Sequence, residues 1–164
     1  MDTIDKVNNL SKFDFISIFG NVFEKTEWIA EKAYNSKPYN NFEELFSKMM
    51  EVFENIEKEK HLEILNAHPD LAVEKKLTRD SKNEQKNASL NQCNDAEFIE
   101  FKKLNEEYEK KFGFPFIIAV KGKNKEEILN SFRQRITNNI NLEFEEAKKQ
   151  VKKIASFRLS EIIK

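Results

Sequence analysis

Glycine and proline are scarce, with three of each in 164 residues, where average usage would place about 11 and 8. Tight turns draw on both residues, so a sandwich or barrel with a turn every few residues is not the expectation. One cysteine, Cys93, excludes an intrachain disulfide and fits a reducing compartment. No apolar run reaches the roughly 18 residues of a membrane span. The N-terminal MDTIDKVNNLSKFDF has early acidic residues and no apolar block of signal-peptide length. The C-terminal RLSEIIK is no Ser-Lys-Leu peroxisomal address. Charge of one sign is missing too. Lys+Arg is 28 against Asp+Glu 29, a net −1, so the electrostatic footprint of a nucleic-acid binder is absent. A cytoplasmic protein without nucleic-acid or membrane partners is the expectation. Internal repeats and low-complexity linkers are absent as well.

What is present is charge, 35% of the chain, and aromatic residues, 12%, including 15 Phe. That is enough apolar bulk for a core. Apolar spacing predicts helix nearly throughout. Ser11 caps a first helix with Ile16, Phe19 and Phe23 on its buried stripe. A second covers 24–35 with Trp28, Ile29 and Ala33. Asn41 with Glu44 starts a third, with Phe42, Leu45, Phe46, Met49 and Phe53 on one face. A fourth runs 57–67 and closes at His68-Pro69, because the residue before proline disfavours the α region. A polar helix covers 80–91. Asn94 with Glu97 and Asn124 with Glu127 start two more, the first ending at Gly113, and a last helix runs about 141–163. Phe114 to Val120 resists helix: it is continuously apolar and bounded by Gly113 and Gly122. The expectation is an all-α chain, a single compact helical domain over residues 1–164, with one extended buried segment near residues 114–121. Extended backbone outside a sheet leaves N–H and C=O groups that need partners. A polar ligand is one such partner, and a plain core strand or helix is the alternative.

Few residues offer chemistry. His61 lies in a charged stretch and reads as a surface residue. His68 ends a helix, where the dipole favours imidazolium, with Pro69 fixing the chain direction and Asp70 near enough to orient the ring; structural and catalytic roles both stay open. A metal-ligand pattern, a Gly-rich phosphate loop and Gly-x-Ser-x-Gly are absent. Cys93 lacks a basic neighbour and reads as a passive thiol. Ser81 and Glu84 have the Ser-x-x-Glu spacing of a capping box. Arg158 follows Ile154 by four and precedes Ile162 by four, so it shares the apolar stripe of the last helix. A lone buried charge is expensive. Its partner is either an internal carboxylate or a substrate carboxylate or carbonyl held by the planar fork.

Five motifs in order carry a resemblance: AHPDLA (Ala67–Ala72), LTRDSKNEQ (Leu77–Gln85), LNEEYEKKFGFPFIIAVKG (Leu104–Gly122), FRQRITN (Phe132–Asn138) and KIASFRL (Lys153–Leu159). With them the chain resembles the 2-oxo-4-hydroxy-4-carboxy-5-ureidoimidazoline (OHCU) decarboxylases, the last enzymes of urate-to-allantoin conversion. The resemblance implies an all-α homodimer, a small ureido-imidazoline substrate, and no metal or organic cofactor. It implies a catalytic role for His68, paired with Glu84 as acid and base. It implies substrate contacts from Pro69, Ser81 and Gln85, from the backbone of Phe116, Ile117, Ile118, Ala119 and Val120, and from Arg158. Val73 and Ser89 stand where the family often has glycine. A non-catalytic ligand-binding protein on the same scaffold, or a decarboxylase of a related ureido compound, is the alternative.

Overall fold

The computed structural model describes residues 3–72 and 78–164, and they form α-helices with no strand. By their contacts the residues fall into two compact units, Met1–Ala67 with Lys152–Lys164, and His68–Val151.

The first unit holds α1 (Ile4–Asn8), α2 (Lys12–Phe19), α3 (Glu27–Asn35), α4 (Phe42–Glu54), α5 (Lys58–Ala67) and the end of α9 (Ile140–Ile162). Ser11 caps α2 as expected, its hydroxyl accepting the Asp14 N–H at 3.1 Å. The core is aromatic. Phe15 and Phe19 lie 4.8 Å apart, and Phe23 stacks on Phe53 at 5.1 Å. Ile29, Leu45 and Met49 complete it. At the end of α2, a Cβ on Gly20 would collide with the Ile16 carbonyl oxygen, so this turn accepts no side chain.

Three expectations change in this unit. Phe23, predicted to lie on the α2 stripe, is buried beyond the end of that helix, and Ile16 is only half-buried. The helix predicted from Glu24 begins at Glu27, because Lys25 takes a left-handed φ of 51°. Glu24 is left outside the helix and fully buried. His61 is not a surface residue. It is 6% exposed, its Nε2 lies 2.7 Å from the Phe53 carbonyl, and its ring meets the Phe53 ring edge-on. The charged neighbours in sequence occupy the other faces of α5, and period 3.6 turns residue 61 inward with Ile64 and Leu65.

The second unit holds α6 (Arg79–Asn87), a 3-10 turn (Leu90–Gln92), α7 (Asp95–Phe112), α8 (Lys125–Arg135) and most of α9. Both Asn-x-x-Glu starts are full capping boxes, at Asn94 with Glu97 and Asn124 with Glu127. The polar helix stops sooner than residue 91, because Ser89 sits in the left-handed region at φ 61°. That is a conformation glycine adopts without strain. Ser81 is not the α6 cap. Thr78 is, accepting the Ser81 N–H.

Between α7 and α8 the chain is neither helix nor strand from 115 to 120, and Phe114 to Val120 are all buried. Gly113 at φ 80° closes α7, the position where an αL residue ends a helix. Phe116 stacks on Phe132 with centroids 3.9 Å apart. The Tyr108 ring lies within 6 Å of Phe112, Phe114, Phe116 and Phe132. The extended segment is thus anchored by its aromatic side chains, with its backbone left to find other partners.

Candidate active site

His68 opens the second unit and is 8% exposed. Helix α5 ends at Ala67, as the His-Pro pair predicts. Pro69 and Asp70 are half-buried, Leu71 and Ala72 are buried, and Ala72 has a φ of 53°. Val73 lies outside the described residues.

Gln85 reaches this turn from α6. Its Oε1 accepts the Ala72 N–H at 3.0 Å, and its Nε2 donates to the Asp70 carbonyl at 3.2 Å. Ser81, Glu84 and Gln85 share one face of α6 at i, i+3 and i+4; Ser81 and Gln85 are buried and Glu84 is half-buried. With Thr78 as the cap, Ser81 is the third residue of α6 and not its cap.

The extended segment has two edges. In extended backbone the N–H and C=O of one residue point the same way, and successive residues alternate. The odd residues meet side chains: the Ile117 carbonyl accepts from Arg135 Nη1 at 2.6 Å, and the Ala119 N–H donates to Gln150 Oε1 at 3.0 Å. Among the described residues, the N–H groups of Ile118 and Val120 and the Ile118 carbonyl meet no protein hydrogen-bond partner. Polar groups so buried are ordinarily paired.

Arg135 is itself held. Its Nε donates to Glu143 Oε1 at 2.7 Å, and its guanidinium lies 4.4 Å from the Phe116 ring centre. Its Nη2 comes within 2.5 Å of the same oxygen as an ion-pair contact, in a direction that makes no hydrogen bond. The Tyr108 hydroxyl donates to that carboxylate as well. Burial, then the hydrogen bond to Glu143, pushes the Tyr108 hydroxyl far above its usual range, so it stays a donor. Sequence reasoning missed Arg135, Glu143 and Gln150. Arg135 follows Phe132 by three on a buried stripe, and the test applied to Arg158 would have marked it.

Arg158 lies in the first unit and is 5% exposed. Nη2 donates to Glu24 Oε2 and Nη1 to the Asn21 carbonyl, both at 2.8 Å. The internal carboxylate that sequence reasoning left open is therefore present, and it comes from a residue 134 positions away. Among the described residues, no group of three His, Cys, Asp or Glu is placed to hold a metal ion, and no helix is long and apolar enough to cross a membrane.

The sequence pattern of the OHCU decarboxylases matches residues 8–160, across both units. The chain belongs to the OHCU decarboxylase family. It is 40% identical over 164 residues to the uric acid degradation bifunctional protein of Bacillus sp. (strain TB-90), covering all of this chain and 33% of that one. It is 37% identical over 159 residues to the 2-oxo-4-hydroxy-4-carboxy-5-ureidoimidazoline decarboxylase of Haloferax volcanii, covering 97% of this chain and 95% of the relative. The chain thus spans a third of the Bacillus protein and nearly all of the Haloferax one. A crystal structure of (S)-allantoin synthase matches with a TM-score of 0.81 at 27% identity, over 100% of this chain and 54% of that one. A crystal structure of OHCU decarboxylase in the presence of (S)-allantoin matches with a TM-score of 0.68 at 23% identity, over 83% of this chain and 90% of that one, and shares the fold.

Proposed function

We propose that this chain is a carboxy-lyase that converts 2-oxo-4-hydroxy-4-carboxy-5-ureidoimidazoline to (S)-allantoin and CO2, with residues 1–164 acting as one family domain. The observation that carries the reading is the open edge at Ile118 and Val120, in a chain of this family. Two N–H donors flanking a carbonyl acceptor suit a ring that offers carbonyl oxygens and N–H groups in alternation.

The chemistry is compatible with a protein that supplies only position and protons. Breaking the carbon–carboxylate bond leaves an electron pair, for which many decarboxylases bring a cofactor as sink. Here the adjacent ring C=N accepts the pair, its nitrogen taking a proton. The hydroxyl on the former carboxylate-bearing carbon loses its proton as the carbonyl forms. A proton then adds to one face of the ureido-bearing carbon, which sets the (S) configuration. His68 handles the hydroxyl proton and Glu84 is its acid/base partner. Ser81, Gln85, Pro69 and the backbone of 116–120 hold the ring and the ureido group. Arg158 contributes to binding while paired with Glu24. Proton transfer of this kind contributes about 10²–10⁴-fold.

The protein works as a homodimer in the cytoplasm in this reading. The half-exposed Ile99, Ile140 and Leu142 offer apolar surface for a second copy, and lone Cys93 suits a reducing compartment. Sedimentation at several concentrations tests the assembly. The activity is tested by generating the substrate in place from urate with urate oxidase and hydroxyisourate hydrolase, then following circular dichroism. An (S)-allantoin signal that rises faster with the protein is expected. Racemic product at the background rate would refute the reading.

A further inference from the structure

Asn105 is the odd residue of the α7 stripe. It follows Phe101 by four and precedes Tyr108 by three, and both of those are fully buried aromatic neighbours. Helical spacing puts all three on one face, where an apolar residue is the ordinary occupant. Asn105 is nevertheless an amide, 4% exposed. Its Nδ2 donates to the Leu71 carbonyl at 3.1 Å, and among the described residues its Oδ1 has no hydrogen-bond partner. Burying an amide with one end unsatisfied opposes folding. Stability of the helix therefore does not account for this residue, and its single bond points to the turn after His68.

That turn receives two further bonds, both from Gln85. Together the two amides take the Asp70 carbonyl, the Leu71 carbonyl and the Ala72 N–H, one backbone group from each of three consecutive residues. The amides come from different helices, α6 and α7, so the turn is fixed from two directions. It needs holding. Ala72 has a φ of 53°, a conformation disfavoured for a residue with a Cβ, and strain of this kind persists only where surroundings over-determine it. Pro69, with its restricted φ, stands between the clamped residues and His68 and transmits their position.

We propose that Asn105 is a positioning residue for the reaction: with Gln85 it clamps residues 70–72 and thereby sets the His68 imidazole against the substrate. This rests on the reading of His68 as an acid/base group. Misplacing a reacting group by about 1 Å costs up to about 10²-fold in rate, so the clamp acts on turnover more than on binding.

The test compares Asn105→Leu in the wild-type and His68→Asn backgrounds, with kcat, KM and enantiomeric excess of allantoin as readouts. In the wild-type background kcat falls about 10- to 100-fold, KM moves by less than about threefold, and enantiomeric excess falls. In the His68→Asn background the same change has no further effect, because residues acting through one another are non-additive. An equal loss in both backgrounds, or full kcat and enantiomeric excess for Asn105→Leu, overturns the clamp. Full rate for His68→Asn alone overturns the acid/base reading and the clamp with it, so the two failures are told apart. Should Asn105→Leu not fold, hydrogen exchange of the Ala72 amide in the unaltered protein decides. Protection comparable to helical amides of α6 is expected, and exchange at the rate of a free loop amide overturns the clamp.

Discussion

Replacing Arg158 by methionine separates the two roles that its position allows. The side chain lies on the buried face of α9 and donates at 2.8 Å to Glu24, whose carboxylate is 0% exposed, and at 2.8 Å to the Asn21 carbonyl. Methionine keeps much of the apolar stem and removes both donors. Breaking one side of a buried pair costs about 3–5 kcal/mol, mostly for the charge left behind. Against a typical total of about 5–15 kcal/mol this is a large fraction. At roughly 2–4 °C per kcal/mol for a chain of this size, unfolding should fall by about 6–20 °C. The double variant Glu24→Leu/Arg158→Met removes both charges, and such replacements are often neutral or stabilising. Urea and thermal unfolding of the two single variants and the double variant form a complete cycle. A single variant within about 1 kcal/mol of the parent would refute the structural argument, since exposed pairs are worth that little. The double variant then tests the substrate role on a sound fold. Loss of hydrogen bonds to a charged group removes about 1.5–3 kcal/mol, roughly 10- to 150-fold in kcat/KM. Unchanged kcat/KM in the double variant would leave Arg158 as half of an ion pair and nothing more.

The remaining predictions concern the proton-transfer groups, His61 and acid stability. His68→Asn should keep the fold and lose most of the rate, and Glu84→Gln should also lose rate, with Thr78 still capping α6; full rate and enantiomeric excess in both would reject the assignment. His61→Asn should leave kcat intact and lower stability by about 1–2 kcal/mol, because it removes the contact to the Phe53 carbonyl and the edge-on ring packing; an unchanged urea midpoint would contradict its burial. The Glu97 carboxyl is held below its usual range by the Asn94 N–H first and by the Lys125 ammonium as well. Its folded value lies below its unfolded one, so its stabilisation is present above the unfolded value of about 4.3 and is lost as pH falls through the depressed folded value. Glu97→Gln should therefore flatten part of the acid limb of stability against pH, and an unaltered limb would exclude the contribution.

The features legible in the sequence are those decided by neighbours along the chain. Ser11, Asn94 and Asn124 cap helices because a side-chain oxygen reaches an N–H three residues on. Phe114 to Val120 lies extended because Gly113 ends a helix and Pro115 cannot donate within a new one. Thr78 shows the limit of that logic: Ser81 has the right spacing to Glu84, yet a better-placed hydroxyl three residues earlier takes the cap and turns Ser81 inward. Polar burial is decided elsewhere. Glu24 is buried because Arg158 reaches it from 134 residues away, and Asn105 because Leu71 stands 34 residues earlier. Nothing local distinguishes Glu24 from a surface residue. One local signal does survive, a polar residue on an otherwise apolar stripe. It marks Arg158 between Ile154 and Ile162, Arg135 after Phe132, and Asn105 between Phe101 and Tyr108. In each case the residue donates to a backbone carbonyl, that of Asn21, Ile117 or Leu71. A carbonyl outside regular structure has no ladder to satisfy it, so donors of this kind settle where the chain is irregular. The turn after His68 and the segment at 116–120 are two such places, and both belong to the site proposed above. Polar stripe residues in this chain therefore point toward its irregular backbone.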